Sequence, residues 1–232
     1  VLHGIGVGGG SLVYANTLPT PKSEFLESGS CSGLADWETE LAPHYATAKR
    51  KIGATEKTVV TKGDKVIEEI AKDIGREEHF HPTEVAVYFG EPNQKVPDPY
   101  FDGEGPDRVG CNFCGACMTG CRIGAKNTLD KNYLYFAEKN GAEVRPETEV
   151  TAVRPRPEGG YLIETQPTFG QGLEERITAD RVILAAGVLG TMPLLLQMKE
   201  DPEGLPRLSE RVGDFVRSNS EALIAVLSPK KG

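Results

Sequence analysis

Four cysteines are the densest group of chemically reactive side chains in the sequence. They occur as Cys111, Cys114, Cys117 and Cys121, separated by two, two and three residues. This is the spacing of bacterial ferredoxins, although Arg122 stands where proline usually follows the last cysteine. Four thiolates also suit tetrahedral zinc, and a loop of redox-active or simply packed thiols needs no metal. The spacing therefore predicts either a metal site, with an iron–sulfur cluster favoured over zinc, or a metal-free thiol loop.

The cysteine content also bears on the surroundings of the protein. The chain has five cysteines, and the remaining one, Cys31, lies far from the run. A lone cluster would take its fourth thiolate from Cys121 or from Cys31. An odd number of cysteines with four of them clustered is untypical of a secreted disulfide scaffold, so we expect a reducing, cytoplasmic environment. A peripheral attachment to a membrane is the alternative location.

A glycine-rich segment, Gly6-Val7-Gly8-Gly9-Gly10-Ser11, is the second feature with chemical potential. Glycine permits positive φ and close approach of the backbone, so that successive N–H groups can face an anion. The apolar pair Leu12 and Val13 follows directly and returns the chain to the core, which favours a nucleotide or cofactor loop over a flexible linker. The segment is not the dinucleotide fingerprint, because no strand precedes it, nor a phosphate-binding loop, because no lysine follows it.

The elements that would position these groups follow from hydrophobic patterning and from capping residues. Three alternating segments, Glu149–Arg154, Tyr161–Thr165 and Glu175–Thr178, predict an antiparallel meander. The apolar run 181–187 predicts a central parallel strand covered on both faces, followed by a helix from near Thr191 with Pro193 in its first turn. Ligands of doubly wound sheets bind at the carboxyl end of such strands, although a close strand–helix packing turn would have the same pattern.

Helices are predicted in three further places. A turn capped by Asp36 precedes a second element from Pro43 to Ile52 that ends at Gly53. A helix from Asp64 to Gly75 carries an apolar face. Another begins at Thr128 and ends at Gly141, while the proline-rich stretch 90–106 predicts an irregular loop.

Charge and hydropathy exclude several classes of function. The chain has 26 basic and 34 acidic residues, a net charge of −8, and lacks a basic patch with interleaved aromatic residues, which argues against nucleic-acid binding. No apolar run reaches the roughly 18–20 residues that a membrane span needs, so no integral membrane segment is expected. The four histidines, none of them a credible general base, are His3, His44, His79 and His81. No catalytic residue is therefore predicted in these 232 residues.

Three segments together resemble the glucose–methanol–choline (GMC) oxidoreductases. The segment 6–13 is similar to the second flavin-binding loop of their bacterial cholesterol oxidase branch, and the segment 185–191 to a later strand–turn–helix. The block 120–134, Gly-Cys-Arg-Ile-Gly-Ala-Lys-Asn-Thr-Leu-Asp-Lys-Asn-Tyr-Leu, resembles a cysteine-bearing group within that branch. The resemblance implies an incomplete fold of mixed α/β and α+β class, namely part of an FAD-binding domain of the glutathione reductase type with a three-stranded meander and part of a substrate domain.

The same resemblance implies FAD as cofactor and oxidation of a lipophilic secondary alcohol such as a sterol, with hydride transfer to the flavin. The implied cofactor-binding residues are Gly8, Gly9, Gly10, Ser11, Tyr14, Ala15, Asn16, Val150 and Gly187. Tyr14 and Ala15 stand where the family has an Asn-Gly pair beside the flavin ring, and an asparagine follows only at Asn16. Which of Tyr14 and Asn16 contacts the ring therefore stays open.

The family's first dinucleotide motif and its carboxyl-terminal His/Asn pair are not found in the sequence. We therefore expect the central piece of a longer polypeptide, inactive without the N- and C-terminal parts of the same protein. The expected segments are a flavin-binding segment at 1–20, substrate-domain helices and loops at 21–108, a cysteine loop at 109–126, a second flavin-binding segment with the meander at 127–200, and a linker leading into the substrate-domain sheet at 201–232. The alternative is an iron–sulfur or zinc-binding electron-transfer module without substrate chemistry.

Overall fold

A computed structural model describes residues 4–29, 32–169 and 173–217. The chain divides into two compact units, Val1–Pro146 and Glu147–Gly232. Cys31 lies outside the described residues, as does most of the predicted link into a substrate-domain sheet, at 218–232.

The described part of the first unit contains four α-helices, α1 Ser23–Leu26, α2 Trp37–Ile52, α3 Lys62–Asp73 and α4 Tyr133–Lys139. Helix α2 begins where Asp36 accepts a hydrogen bond from the Thr39 N–H and ends at Gly53, whose φ is +67°. The prediction of two elements here was wrong. Pro43 lies inside one continuous helix, because a missing N–H removes a single hydrogen bond while the turns on either side continue.

The ends of α3 and α4 are set by polar side chains. Thr61 and Asp64 form a capping box at the start of α3. The predicted start of α4 at Thr128 was wrong, because a separate 3-10 turn spans Leu129–Lys131 and Asn132 then leaves helical geometry. The Asn132 side chain accepts a hydrogen bond of 2.6 Å from the Tyr133 N–H and so begins the helix anew. Nowhere in the described part of the chain is a helix long and apolar enough to cross a membrane.

Short antiparallel strands hold the first unit together around a small core. The pairs are β1 Thr55–Glu56 with β2 Glu84–Val85, and β3 Lys95–Val96 with β4 Arg108–Val109. Val85, Val87 and Ala125 form a buried apolar cluster against which Phe89, Cys111 and Cys121 pack. Two of the four cysteines of the run, Cys111 and Cys121, therefore lie against this cluster.

The second unit contains the predicted meander, which is confirmed. Strands β5 Thr148–Pro155, β6 Tyr161–Pro167 and β7 Glu175–Ala179 pair antiparallel in the order β5-β6-β7. Between β5 and β6 the chain turns through Gly159 and Gly160, both with positive φ. At Gly160 a Cβ atom would lie 2.7 Å from the Ala179 carbonyl oxygen, so the turn requires glycine.

The predicted buried strand at 181–187 is not formed. Residues 181–185 lie in no strand, the Ile183 side chain is 90% exposed, and helix α5 begins at Gly187 and runs to Glu200. Pro193 accordingly lies in the second turn of α5 and not in the first. A central parallel strand needs neighbouring strands for its backbone and cover for both faces, and no described strand of the second unit runs beside 181–185.

Candidate functional site

The glycine-rich segment forms a tight turn that presents bare backbone. Gly8 and Gly9 have φ values of +104° and +55°, and a 3-10 turn follows over Gly9–Leu12. The Ser11 hydroxyl donates a 2.6 Å hydrogen bond back to the Gly8 carbonyl and closes the turn. Cβ atoms built on Gly9 and Gly10 would meet no protein atom within 4 Å, and both residues are exposed. A ligand can therefore reach the main chain of this turn.

Three hydrogen bonds tie this turn and Tyr14, which lies just after it, to the segment 126–129. The Ser11 hydroxyl accepts a 3.0 Å hydrogen bond from the Leu129 N–H, and the Tyr14 hydroxyl donates one of 2.9 Å to the Asn127 carbonyl. The segment belongs to the block 120–134 that carries the family resemblance. The fold thus brings together two motifs that are more than 110 residues apart.

Lys126 is the closest link between the turn and the cysteine run. Its Nζ donates hydrogen bonds to the carbonyls of Leu12 (3.1 Å) and Cys117 (2.8 Å), and lies 4.5 Å from the centre of the Tyr14 ring. The side chain is 1% exposed. Burial lowers the pKa of Lys126, whereas the nearby thiols of Cys117 and Cys121 raise it. In the sequence, Lys126 is one residue of the block 120–134, and nothing near it along the chain assigns it a role.

The three candidate ring contacts after the turn differ in exposure. Tyr14 is half-buried. Burial is the main cause of its raised pKa, and the neighbouring Cys117 thiol raises the pKa further. Ala15 is exposed. Asn16 is 4% exposed with φ +57°, and its carbonyl accepts a 2.8 Å hydrogen bond from the Ala86 N–H. Neither the sequence nor these contacts assigns the flavin ring to one of them.

A buried polar network behind the segment 126–129 holds it in place. Arg108, 1% exposed, donates from Nε to the Asn127 side-chain oxygen at 2.7 Å and from Nη2 to the Lys131 carbonyl at 2.9 Å. Its guanidinium also lies 5.5 Å from the Tyr100 ring centre. Desolvation lowers the pKa of Arg108. Arg108 was missed from the sequence, because nothing in its neighbourhood along the chain signals burial.

The cysteine run does not converge on a common point. Cys111 and Cys121 pack against the apolar cluster, whereas Cys114 is exposed. Their sulfurs accept backbone hydrogen bonds, Cys111 from Phe113 at 3.4 Å and Cys121 from Lys126 at 3.5 Å. Within residues 4–29, 32–169 and 173–217, no group of three or more His, Cys, Asp or Glu side chains is placed to hold a metal ion. The predicted iron–sulfur or zinc site gains no support, because the thiols face different surroundings.

The other two predicted cofactor contacts lie in the second unit. Val150 is 40% exposed in β5, next to an irregularity in its pairing with β6. Gly187 has φ +67° and begins α5. It borders an open, mainly apolar cleft of about 670 Å³ between α5 and the segment 212–217. That Val150 and Gly187 bind the same flavin as the glycine-rich turn stays a prediction.

Comparison with known proteins shows what the chain is similar to. Residues 105–198, which include the cysteine run and Lys126, match the family model described as GMC oxidoreductase. The chain is 44% identical over 237 aligned residues to a cholesterol oxidase of Mycobacterium tuberculosis, and 43% identical over 237 residues to one of Acinetobacter baumannii. These alignments cover 99% and 97% of this chain but only 41% and 42% of the relatives. The predicted resemblance to the GMC oxidoreductases is confirmed, and the chain spans about two fifths of the length of these relatives.

Proposed function

We propose that this chain is part of an FAD-dependent oxidoreductase that oxidises a CH–OH group of a lipophilic alcohol, with a sterol as the substrate class. The family match over 105–198 and the similarity to cholesterol oxidases support the class of reaction. The observation that carries the proposal is the exposed backbone of Gly9 and Gly10. The turn that contains them is held against the segment 126–129 by the hydrogen bond between Ser11 and Leu129. The flavin, when bound, supplies the acceptor for the hydride of the alcohol.

The turn fits a dinucleotide on two physical grounds. Gly9 and Gly10 leave open space that any side chain would occupy, so a pyrophosphate can approach their backbone closely. The ammonium of Lys126 lies behind the turn, and a positive charge there favours an anionic ligand. We assign Gly8, Gly9, Gly10 and Ser11 to the pyrophosphate and ribityl part of the cofactor, and Tyr14, Ala15 and Asn16 to the neighbourhood of the ring.

For the second unit, the resemblance supports Val150 as a backbone contact to the adenine and Gly187 as a later contact to the cofactor. These residues are exposed or half-exposed where they stand, which leaves them accessible to a ligand. No residue of this chain is proposed to move the proton of the substrate hydroxyl. The partners proposed for it are the alcohol and the remaining parts of the same protein.

The competing function, an electron-transfer module built on the cysteine run, is not favoured. The family match extends across the whole run, and the described thiols do not form a metal site. Such a module would contain iron and acid-labile sulfide, or zinc, in stoichiometric amount without any requirement for flavin.

Gly10→Leu in the complete gene product tests the flavin assignment. The backbone of Gly10 lies outside the positive-φ region and a Cβ meets nothing within 4 Å, so the fold should tolerate leucine. The same side chain would occupy the space that the dinucleotide needs. We expect an intact fold by circular dichroism and loss of at least about 90% of the co-purifying flavin absorbance, which corresponds to more than a tenfold change in affinity.

Gly63→Leu is the matched control, because Gly63 also lies outside the positive-φ region and its Cβ would meet only Thr61 Oγ1, at 3.7 Å. This variant should keep its flavin. A wild-type protein without flavin would contradict the proposed function itself. Full flavin content in Gly10→Leu would contradict the assignment of the turn.

A further inference from the structure

Lys126 carries a buried positive charge where the glycine-rich turn meets the cysteine run. Taking an ammonium out of water is costly unless hydrogen bonds or an opposite charge compensate it. Here the compensation comes from two backbone carbonyls and the face of the Tyr14 ring. The thiols of Cys117 and Cys121 also favour the charged form, whereas burial and the Lys131 ammonium disfavour it.

The three contacts join Lys126 to two other segments. Leu12 is the last residue of the 3-10 turn, Tyr14 follows it, and Cys117 opens the short 3-10 turn within the cysteine run. The two carbonyls need a hydrogen-bond donor, but a donor need not carry a full positive charge. The charge therefore points to an anionic ligand beyond the protein.

We propose that Lys126 is a positioning residue of the flavin site. It holds Leu12 and Tyr14 against the cysteine run and places a positive charge behind the glycine-rich turn. This inference rests on the proposed function. It also gives the cysteine run a structural role in that site, because the run supplies the Cys117 carbonyl that accepts a hydrogen bond from Lys126.

Two consequences separate this role from ordinary packing. Loss of the ammonium removes the attraction for the anionic cofactor and releases the Leu12 carbonyl, so FAD should bind more weakly. A positive charge near a flavin also favours its uptake of electrons, so the midpoint potential of the bound flavin should become more negative when the charge is removed. Packing alone would change stability and leave that potential in place.

Lys126→Met in the complete gene product is the direct test, because methionine fills a similar volume without charge. FAD affinity is measured by fluorescence titration of the apoprotein, the potential by dye-coupled reduction, and the fold by thermal unfolding. We expect about tenfold weaker binding or more, consistent with the loss of two charge-assisted hydrogen bonds, together with a more negative potential. Lys126→Arg should keep the potential near the wild-type value.

The control is Lys95→Met on the surface of the first unit. The Lys95 ammonium lies 2.8 Å from an Asp107 carboxylate oxygen, and its side chain is 70% exposed. This variant should change neither affinity nor potential. Should Lys126→Met fail to fold, Lys126→Gln, which keeps an N–H donor but no charge, is measured in the same way.

The outcomes separate the two proposals. A wild-type protein that binds no FAD contradicts the proposed function. A wild-type protein that binds FAD, with an uncharged variant at Lys126 that binds it equally well at an unchanged potential, overturns the positioning role alone.

Discussion

At the scale of single residues, most polar side chains near the glycine-rich turn are engaged by the chain's own backbone. The Ser11 hydroxyl bonds the Gly8 carbonyl and the Leu129 N–H, and the Tyr14 hydroxyl bonds the Asn127 carbonyl. These side chains shape the turn. Under the proposed function, recognition of the cofactor at this turn therefore falls mainly to main-chain groups and to the charge of Lys126.

The four thiols should differ in reactivity, because their surroundings differ. Cys114 is exposed. Burial raises the pKa of Cys111. At Cys121 burial also acts to raise the pKa, but backbone N–H donors outweigh it and lower the pKa. Since the thiolate is the nucleophile, we expect iodoacetamide at neutral pH to label Cys114 first and Cys111 last, as followed by peptide mass mapping.

The denatured protein is the control for this labelling, and there all four thiols should react at similar rates. Labelling of Cys111 ahead of Cys114 in the folded protein would contradict the described loop.

At the scale of elements, one arginine joins the meander to the end of α5 within the second unit. Arg154 of β5 bonds the Glu164 carboxylate of β6 at 3.2 Å and that of Asp201, which follows α5, at 2.7 Å. The sulfur of Met198, which is fully buried in α5, accepts the Val153 N–H at 3.3 Å. A polar and an apolar contact thus fasten the helix to the same edge of β5.

The ion pair should make this unit sensitive to acid. Hydrogen bonds from Arg154, and then from the Glu203 N–H, lower the pKa of Asp201. Because the pKa of Asp201 is lower in the folded state than its unfolded value of about 3.9, the ion pair stabilises the protein above that pH. This stabilisation is lost as the pH falls through the pKa of the folded state. We expect Asp201→Asn to lower the melting temperature at neutral pH and to flatten its decline between about pH 5 and 2.

Asp180→Asn serves as the control, since Asp180 is an exposed carboxylate just after β7. Its melting curve should follow the wild type at each pH. An unchanged acid response in Asp201→Asn would show that the pair does not stabilise the unit.

At the scale of the whole molecule, the chain consists of two compact units and aligns with about two fifths of each relative. Under the proposed function, the family resemblance places further cofactor contacts and the substrate-handling His/Asn pair outside residues 1–232. In the described part of the second unit, the apolar run 181–185 pairs with no strand, and Ile183 is 90% exposed.

We therefore expect residues 1–232 expressed alone to bind FAD at least about tenfold more weakly than the complete gene product, and to show no alcohol oxidation. The reason is that affinity for a dinucleotide is spread over contacts along its whole length. Titration of both proteins with FAD, with turnover measured on a sterol, provides the comparison. Equal affinity in the two proteins would contradict this distribution of contacts.

The sequence by itself determined the features that depend on neighbouring residues. The Asp36 cap and Gly53 end of α2, the three strands of the meander and the glycine-rich turn are all local signals, since each depends on side chains within a few positions. The family resemblance also followed from short motifs.

Only the tertiary structure decided which polar groups are buried and what they contact. Lys126 and Arg108 look like ordinary surface cations in the sequence, and both lose their water only when segments far apart in the chain close over them. The same reason explains why the metal site predicted at the cysteine run gains no support and why the strand predicted at 181–187 is not formed. Convergence of thiols and pairing of parallel strands depend on distant neighbours, about which spacing along the chain carries no information.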